Sequence, residues 1–386
     1  MSLEESRKHL FYYLCTEFSV RIMKIKEIVS ALERFAPLPL QDGFDNAGLQ
    51  IGLTDAEATG ALLCLDVTES VIDEAIALRC NMVISHHPLI FKGYKSITGK
   101  DYVERCILKA IKNDIVIYSA HTNLDNAQGG VNYKIAEKLG LDHVEILDPK
   151  SGMLLKLVTF VPESHAEKVR NALFDSGCGN IGNYDSCSYN VSGEGTFRAQ
   201  ENAYPFCGEI GKLHREKEVR IETVLPAYKR NDAVKALLLA HPYEEPVFDL
   251  YYLQNTWMQA GSGIIGELNV PEPELDFLKR LKKTFNLSCV KHNTLTGRMI
   301  KKIALCGGSG SFLIPLALRN EADVFITGEI KYHDYFGYDN KILLAEIGHY
   351  ESEQYTKEIF YTIIRDLYPN FTLFMSKVNT NPIKYI

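Results

Sequence analysis

Histidine and carboxylate side chains gather directly after several short apolar runs in this 386-residue sequence. Apolar runs of this length, bounded by polar residues, are typical of buried β-strands. The polar residues that follow them are His86, His87, His121, Asp125, Glu329, His333, His349 and Glu353. Since ligands bind beyond the carboxyl ends of the strands in a parallel α/β sheet, these positions predict one candidate site.

Imidazole and carboxylate groups together suit a divalent metal ion such as Zn, Fe, Mn or Ni. His349 and Glu353 are four residues apart at a predicted helix start, so both side chains face one side of that helix. His86 and His87 cannot both point the same way along a regular strand, and the pair could serve two different metals. Taken singly, each residue could instead be a core histidine or part of a helix-surface pair. Their coincidence at strand ends favours a metal site.

Three other segments carry polar or charged groups, and each has a structural alternative. The run CGGSGS, residues 306–311, could present backbone N–H groups to a phosphate, or could be a tight turn that needs glycine. The segment HPYEEPVFDLY, which contains His241, Glu244 and Glu245, is interpreted as a turn before an edge strand. The basic run KRLKK, residues 279–283, is interpreted as a solvated helix face.

The order of predicted elements indicates an α/β protein with a second kind of domain in its middle. From Met23, strands alternate with single helices, which is typical of βαβ units and a mostly parallel sheet. The central third has a βαββαβ order, which is typical of a ferredoxin-like α+β domain. We therefore predict an N-terminal extension (1–22), a first α/β lobe (23–151), an inserted α+β domain (152–255) and a second, related α/β lobe (256–386).

Four local predictions are specific enough to compare with a structure. Apolar residues at helical spacing predict a helix over about 25–35. Thr68 is expected to be the N-cap of the helix that follows it. The run IVIYSAHTNLD (115–125) predicts a strand, and KILLAEIGHYESEQYTKEIFYTIIRDL predicts a strand followed by one long helix.

Composition narrows the class of protein further. The formal net charge is −7 and the sequence has no long basic run, which argues against nucleic acid as the principal ligand. No apolar run approaches the length of a membrane span. The 9 cysteines form no C-x-x-C pair and their number is odd. Reduced cysteines in a cytoplasmic protein are the expectation.

Several motifs together resemble the Ngg-interacting-factor-three-like family, whose bacterial members are labelled GTP cyclohydrolase 1 type 2 homologues. They are FDNAGLQIG, VISHHPLIF, HTNLDNAQGGVN, GGSGSF, TGEIKYHD and GHYESE, and they run from about residue 23 to 360. The segment ending HPYEEPVFDLYYL resembles the CutA/PII-like domain of longer bacterial members. One departure is Phe44, where many members have Trp.

The resemblance implies two related α/β lobes that form one dimetal-binding domain, and a homohexamer built as a trimer of dimers. It also implies two divalent metal ions per chain. Carried over by motif, the metal ligands are His86, His87, Asp125, His349 and Glu353. His121, Glu329 and His333 are then expected near the metals, as supporting groups or proton relays.

Three functions remain open from the sequence. The first is a metal-dependent hydrolase with chemistry like that of GTP cyclohydrolase, which opens the guanine imidazole ring. The second is a phosphoester or nucleotide hydrolase, because an anion could bind at residues 307–311. This second possibility makes a nucleotide or phosphorylated small molecule a candidate ligand. The third is a metallochaperone or regulatory scaffold without catalytic activity.

Overall fold

The structure is a computed structural model that describes residues 23–386, so the predicted extension 1–22 lies outside the described residues. The helices are α1 (Ile25–Phe35), α2 (Glu69–Ala77), α3 (Tyr102–Lys112), α4 (Thr122–Asp125), α5 (Val131–Leu139), α6 (Ala166–Asp175), α7 (Arg230–Ala240), α8 (Glu274–Thr284), α9 (Ile314–Arg319), α10 (His349–Glu353) and α11 (Thr356–Leu367). The strands are β1 (Gly48–Ile51), β2 (Ala61–Cys64), β3 (Met82–Ser85), β4 (Val116–Ser119), β5 (Asp142–Lys150), β6 (Leu154–Pro162), β7 (Ser188–Arg198), β8 (Leu213–Pro226), β9 (Phe248–Tyr252), β10 (Trp257–Pro273), β11 (Lys291–His292), β12 (Met299–Cys306), β13 (Val324–Thr327), β14 (Leu343–Glu346) and β15 (Leu373–Met375). Short 3-10 helices cover Leu38–Leu40, Glu163–His165, Ala227–Lys229, Ser311–Leu313 and Tyr332–Tyr335.

The first sheet has the strand order β1–β4–β3–β2–β15, and its strands are parallel except for β1 at one edge. Strands β2, β3 and β4 are buried along their whole length. Parallel strands are covered by helices on both faces, which explains why these segments are almost continuously apolar. The carboxyl ends of β3 and β4 therefore lie side by side.

The second sheet has the strand order β11–β14–β13–β12–β10–β5. Its centre is parallel, since β12, β13 and β14 run in one direction, whereas β5, β10 and β11 are antiparallel to their neighbours. Helix α8 packs on this sheet against β10 and β12. The predicted mostly parallel α/β pattern is thus confirmed for the central strands of both sheets.

A third sheet has the order β7–β8–β6–β9 and is antiparallel throughout. With helices α6 and α7 its elements follow one another as β6–α6–β7–β8–α7–β9, which is the predicted βαββαβ order. This part of the chain has an apolar core of its own, which includes Leu157, Val169, Ile221 and Leu237.

Each of the first two sheets contains a strand that is distant in sequence from its neighbours in the sheet. Strand β5 precedes the third sheet in sequence but pairs with β10 of the second sheet. Strand β15 comes after every other element but pairs with β2 of the first sheet. One apolar core continues between these sheets and contains Leu63, Ile84 and Val324. The boundaries at residues 151 and 255 stay a prediction.

Local predictions and structure agree best where the sequence signal is strong. Helix Ile25–Phe35 is confirmed, and so is the N-cap at Thr68, whose hydroxyl oxygen accepts a hydrogen bond from the Val71 N–H at 3.3 Å. The predicted strand over 115–125 is wrong beyond Ser119, because the chain turns there into helix α4. The predicted long final helix is two helices, α10 and α11.

In the part of the chain that the structure describes, no helix has both the length and the apolar character needed to cross a membrane. The cysteines between residues 23 and 386 are free thiols, most of them buried.

Candidate metal centre

The candidate centre lies where the carboxyl ends of the parallel strands of the first sheet face those of the second sheet. From the first sheet, His86 and His87 follow β3, and His121 follows β4. Asp125 is the last residue of α4, which begins directly after His121. From the second sheet, His349 and Glu353 are the first and last residues of α10, which follows β14.

One half of the centre is formed by His86, Asp125 and Glu353. The His86 Nε2 atom lies 3.6 Å from the Asp125 Oδ1 atom and 3.7 Å from the Glu353 Oε1 atom. These separations are too long for hydrogen bonds, yet all three atoms point at a common space. They are spaced so that one ion could touch all three.

The other half is formed by His87, His349 and the second oxygen of Glu353. Glu353 Oε2 lies 3.0 Å from His87 Nε2 and 3.2 Å from His349 Nε2. The two imidazole Nε2 atoms are themselves 3.2 Å apart. Glu353 thus belongs to both halves of the centre. Its Oε1 atom faces one group of side chains and its Oε2 atom faces the other.

Each imidazole is oriented through its Nδ1 atom, which leaves Nε2 directed into the centre. His86 Nδ1 lies 2.9 Å from the Ala120 carbonyl oxygen. The corresponding Nδ1 contacts, each with a carboxylate oxygen, are His87 with Asp66 at 2.7 Å, His121 with Asp45 at 2.8 Å and His349 with Glu329 at 3.0 Å. Metal-binding histidines almost always have such a partner, because it selects the tautomer with a free Nε2 lone pair.

Burial makes the arrangement costly unless something binds there. His86 is fully buried and Glu353 is 3% exposed. Among residues 23–386, the buried side-chain atoms without a hydrogen-bond partner include His86 Nε2 and Asp125 Oδ1. An unsatisfied buried polar atom costs about 1–3 kcal/mol, so two in one place favour a ligand. Nitrogen and carboxylate oxygen donors are those of Zn, Fe, Mn or Ni sites, so the residues present fit a metal ion.

The electrostatics of the centre also favour positive charge. Burial alone would lower the pKa of His87, but its hydrogen bonds with Asp66 and Glu353 outweigh burial and raise the pKa to about 10. Burial likewise opposes protonation of His349, yet Glu353 raises the pKa of His349 to about 9. Burial and the charge of Glu353 raise the pKa of Asp125. The adjacent carboxylates of Asp125 and Glu353 repel each other and attract positive charge. A metal ion between them would relieve this repulsion.

The glycines of the CGGSGS segment leave room for Glu353 and donate hydrogen bonds within the protein. The N–H groups of Gly307, Gly308 and Gly310 donate hydrogen bonds to the side-chain oxygens of Asn132, Ser352 and Thr327. A side chain at Gly308 would place its Cβ 2.4 Å from Glu353 Oε1, and Gly308 has φ of +59°, which favours glycine. The tight-turn interpretation therefore explains the glycines of this segment, and the N–H groups of these three glycines are used within the protein.

The centre opens into a cavity of about 870 Å³ whose wall includes His121, Asp125, His349 and Glu353. Phe44, the residue where many relatives were expected to have Trp, also lines this cavity. The space is large enough for a small-molecule substrate of ordinary size.

The structure brings together most of the residues singled out in the sequence. His86, His87, His121, Asp125, His349 and Glu353 surround the centre, and Glu329 contacts His349. His333 is exposed on a 3-10 helix, where its ring contacts Tyr332 and Phe336, and its predicted role stays a prediction.

Two carboxylates at the centre were missed by the sequence analysis, Asp45 and Asp66. Asp66 follows the apolar strand β2, so the rule that found the other strand-end residues could have found it. Asp45 lies in the FDNAGLQIG motif of a turn-rich segment, and no periodic pattern there indicates that it reaches His121.

Fold and site together define an α/β protein with a buried histidine and carboxylate centre at the facing ends of two sheets. The sequence model of the family described as Duf34/NIF3 (NGG1p interacting factor 3) matches residues 23–382. The chain belongs to this family.

Relatives extend the match over nearly the whole chain. A protein of Halalkalibacterium halodurans named GTP cyclohydrolase 1 type 2 homolog is 38% identical over 372 residues, covering 95% of this chain and 100% of the relative. A Bacillus subtilis protein of the same name is 36% identical, covering 94% and 98%. The crystal structure of a Bacillus cereus protein related to NIF3 has a TM-score of 0.83 at 38% identity, covering 95% and 100%. A Staphylococcus aureus crystal structure has a TM-score of 0.74 at 32% identity, covering 94% and 99%.

We predict that Gly308→Ala weakens metal binding, because the new methyl group would push the Glu353 carboxylate out of place. A loss of about 10–100-fold in affinity is expected, as for other disturbed ligand supports. Calorimetric titration with Zn²⁺ measures it. Gly93→Ala is the matched control, since Gly93 has open space around it and no positive φ. Equal affinities in the two variants would contradict this role of Gly308.

We also predict that Asp66→Asn weakens metal binding by about 10–100-fold, because His87 loses the carboxylate that orients its ring. An amide at position 66 can still form a hydrogen bond, so little change in folding is expected. The control is Asp55→Asn, which removes an exposed carboxylate that pairs with Lys26. Unchanged affinity after Asp66→Asn would show that backbone packing alone orients His87.

Proposed function

We propose that this protein is a metal-dependent hydrolase with a dinuclear centre held by His86, His87, Asp125, His349 and Glu353. The observation that carries the proposal is the position of Glu353 between two groups of imidazole and carboxylate donors. One oxygen faces His86 and Asp125, and the other faces His87 and His349. A carboxylate placed in this way suits a ligand that bridges two ions.

When bound, two metal ions would lower the pKa of a water molecule and polarise the bond to be hydrolysed. His121 is the candidate proton carrier, because it lines the cavity while Asp45 holds its Nδ1. An imidazole placed within reach of a bound molecule can act as a general acid or base. Glu329 acts through His349, whose Nδ1 it contacts, and is therefore proposed as a positioning residue.

The name of the relatives, GTP cyclohydrolase 1 type 2 homolog, suggests GTP as the first substrate to examine, through hydrolysis of the guanine imidazole ring. Phosphoester hydrolysis has less support, because three N–H groups of the glycine-rich segment, those of Gly307, Gly308 and Gly310, already donate to side chains of the protein. A metallochaperone or regulatory scaffold is the second candidate. Its support is the segment that resembles a CutA/PII-like domain, which has an apolar core of its own and a cavity of about 990 Å³ apart from the candidate centre.

We further propose that the first two sheets are related α/β lobes of one dimetal-binding domain. The β6–α6–β7–β8–α7–β9 unit, with its own apolar core, supports an inserted ferredoxin-like, CutA/PII-like domain over residues 152–255. We also propose that the protein is cytoplasmic and that its cysteines are reduced.

The test is hydrolysis by the metal-loaded protein of GTP and of generic phosphodiesters. His87→Ala and Glu353→Ala should each abolish turnover, because each removes a donor from the centre. His292→Ala is the matched control, since the His292 side chain is exposed and its Nδ1 atom contacts the Asn293 carbonyl oxygen next to it. No turnover with any divalent metal, while metal passes to other proteins, would instead favour the metallochaperone.

The proposed assembly is a homohexamer, built as a trimer of dimers. Light scattering after size-exclusion chromatography should then give a mass about six times that of the 43.6 kDa chain. A monomer or dimer at all concentrations would contradict it.

A further inference from the structure

A second group of metal-binding side chains lies in the part of the chain that forms the third sheet, outside the candidate centre. The ligand atoms of Cys207, His214 and Glu216 all lie within 4.8 Å of one another. The His214 Nε2 atom is 2.9 Å from the Glu216 Oε2 atom. All three side chains are half-buried, so water is partly excluded and an ion would still have access.

The backbone explains why these three residues meet. His214 and Glu216 are two residues apart on β8, so they share one face of the strand. That face is the more buried one, since Leu213, Arg215 and Lys217 on the other face are exposed. On the neighbouring strand β7, Phe197 pairs with His214, and the two rings pack with their centroids 5.2 Å apart.

The loop between β7 and β8 brings Cys207 to this face. Gly208 follows it with φ of +82°, and a Cβ at Gly208 would come within 2.9 Å of the His214 Cβ atom. Only a glycine allows the loop to close this tightly over His214 in that backbone conformation. The close approach holds the Cys207 thiol next to the imidazole and the carboxylate.

The group is also linked to the wall of the 990 Å³ cavity. The Tyr243 hydroxyl lies 3.9 Å from Cys207 Sγ and donates a hydrogen bond to Glu218 Oε1 at 2.8 Å. Tyr243 and Glu218 both line that cavity. A ligand in the cavity therefore has a short path to an ion held by Cys207.

We propose that Cys207, His214 and Glu216 bind one Zn²⁺ ion at the edge of this cavity. A thiolate, an imidazole and a carboxylate are the three kinds of side chain that bind zinc in proteins. Three protein ligands leave the fourth tetrahedral position for water or for a donor atom of a molecule in the cavity. The Cys207 thiol loses its proton to solvent when the Zn–S bond forms, because only the thiolate is a ligand.

The proposed site has a thiolate ligand, whereas the candidate centre has histidine and carboxylate donors. This difference makes the proposal testable in the full-length protein. Co²⁺ replaces Zn²⁺ in tetrahedral sites, and a Co²⁺–thiolate bond gives a charge-transfer absorption that His and carboxylate ligands do not give. Wild-type protein titrated with Co²⁺ should show this absorption, and added Zn²⁺ should remove it. Cys207→Ser and His214→Ala should both lose it.

Two cysteine variants serve as controls. Cys187→Ser removes another partly buried thiol of the same region, and Cys306→Ala removes the thiol that lines the cavity of the candidate centre. Both should keep the absorption. If Cys306→Ala abolishes it and Cys207→Ser does not, the thiolate belongs to the candidate centre and the proposal is wrong. No thiolate absorption in the wild type would equally overturn it.

Thiol modification provides a second measurement that does not depend on how well Cys207→Ser folds. Zn²⁺ should protect Cys207 from alkylation in the wild type, as read by mass spectrometry of the modified peptide. In His214→Ala the thiol remains but the ion loses a ligand, so protection should be lost. Protection that persists in His214→Ala, or that is missing in the wild type, would leave Cys207 as an ordinary half-buried thiol beside a His–Glu pair.

Discussion

The structure depends on the placement of the Glu353 carboxylate, which lies 3% exposed between imidazoles from two different sheets. A buried carboxylate is stable only when positive charge or hydrogen-bond donors surround it. His86 and His87 come from the first sheet and His349 from the second, so the two sheets must keep their carboxyl ends facing each other. The missing side chain at Gly308 then leaves the space that the carboxylate occupies.

The imidazoles around Glu353 are held in place by further hydrogen bonds to residues outside the centre. Asp66 holds His87, and the Thr380 hydroxyl in turn donates a hydrogen bond to Asp66 at 2.5 Å. Thr380 lies shortly after β15, the strand that completes the first sheet. Packing at the sheet edge and geometry at the centre are thus connected by one chain of contacts.

The part of the site that the sequence could predict came from strand-end positions. His86, His87, His349 and Glu353 were found in this way, since a polar residue after an apolar strand is visible without knowing the sheet order. Asp45 was missed, because its contact with His121 joins positions 76 residues apart through a loop with no regular pattern. Strand β10 was missed as well, since glycine and proline in WMQAGSGIIGELNVPEP usually argue against a strand interior. The pairing of β5 with the second sheet and of β15 with the first joins positions far apart in the sequence, so local sequence patterns do not predict it.

The long separation between the two sets of donors also orders events during synthesis. His87 and His349 are 262 residues apart, and their side chains meet only after both sheets have formed. A nascent chain that has passed β4 holds several histidines but lacks the shared carboxylate of Glu353. The centre is therefore complete only once α10 has been synthesised and the second sheet has formed beside the first.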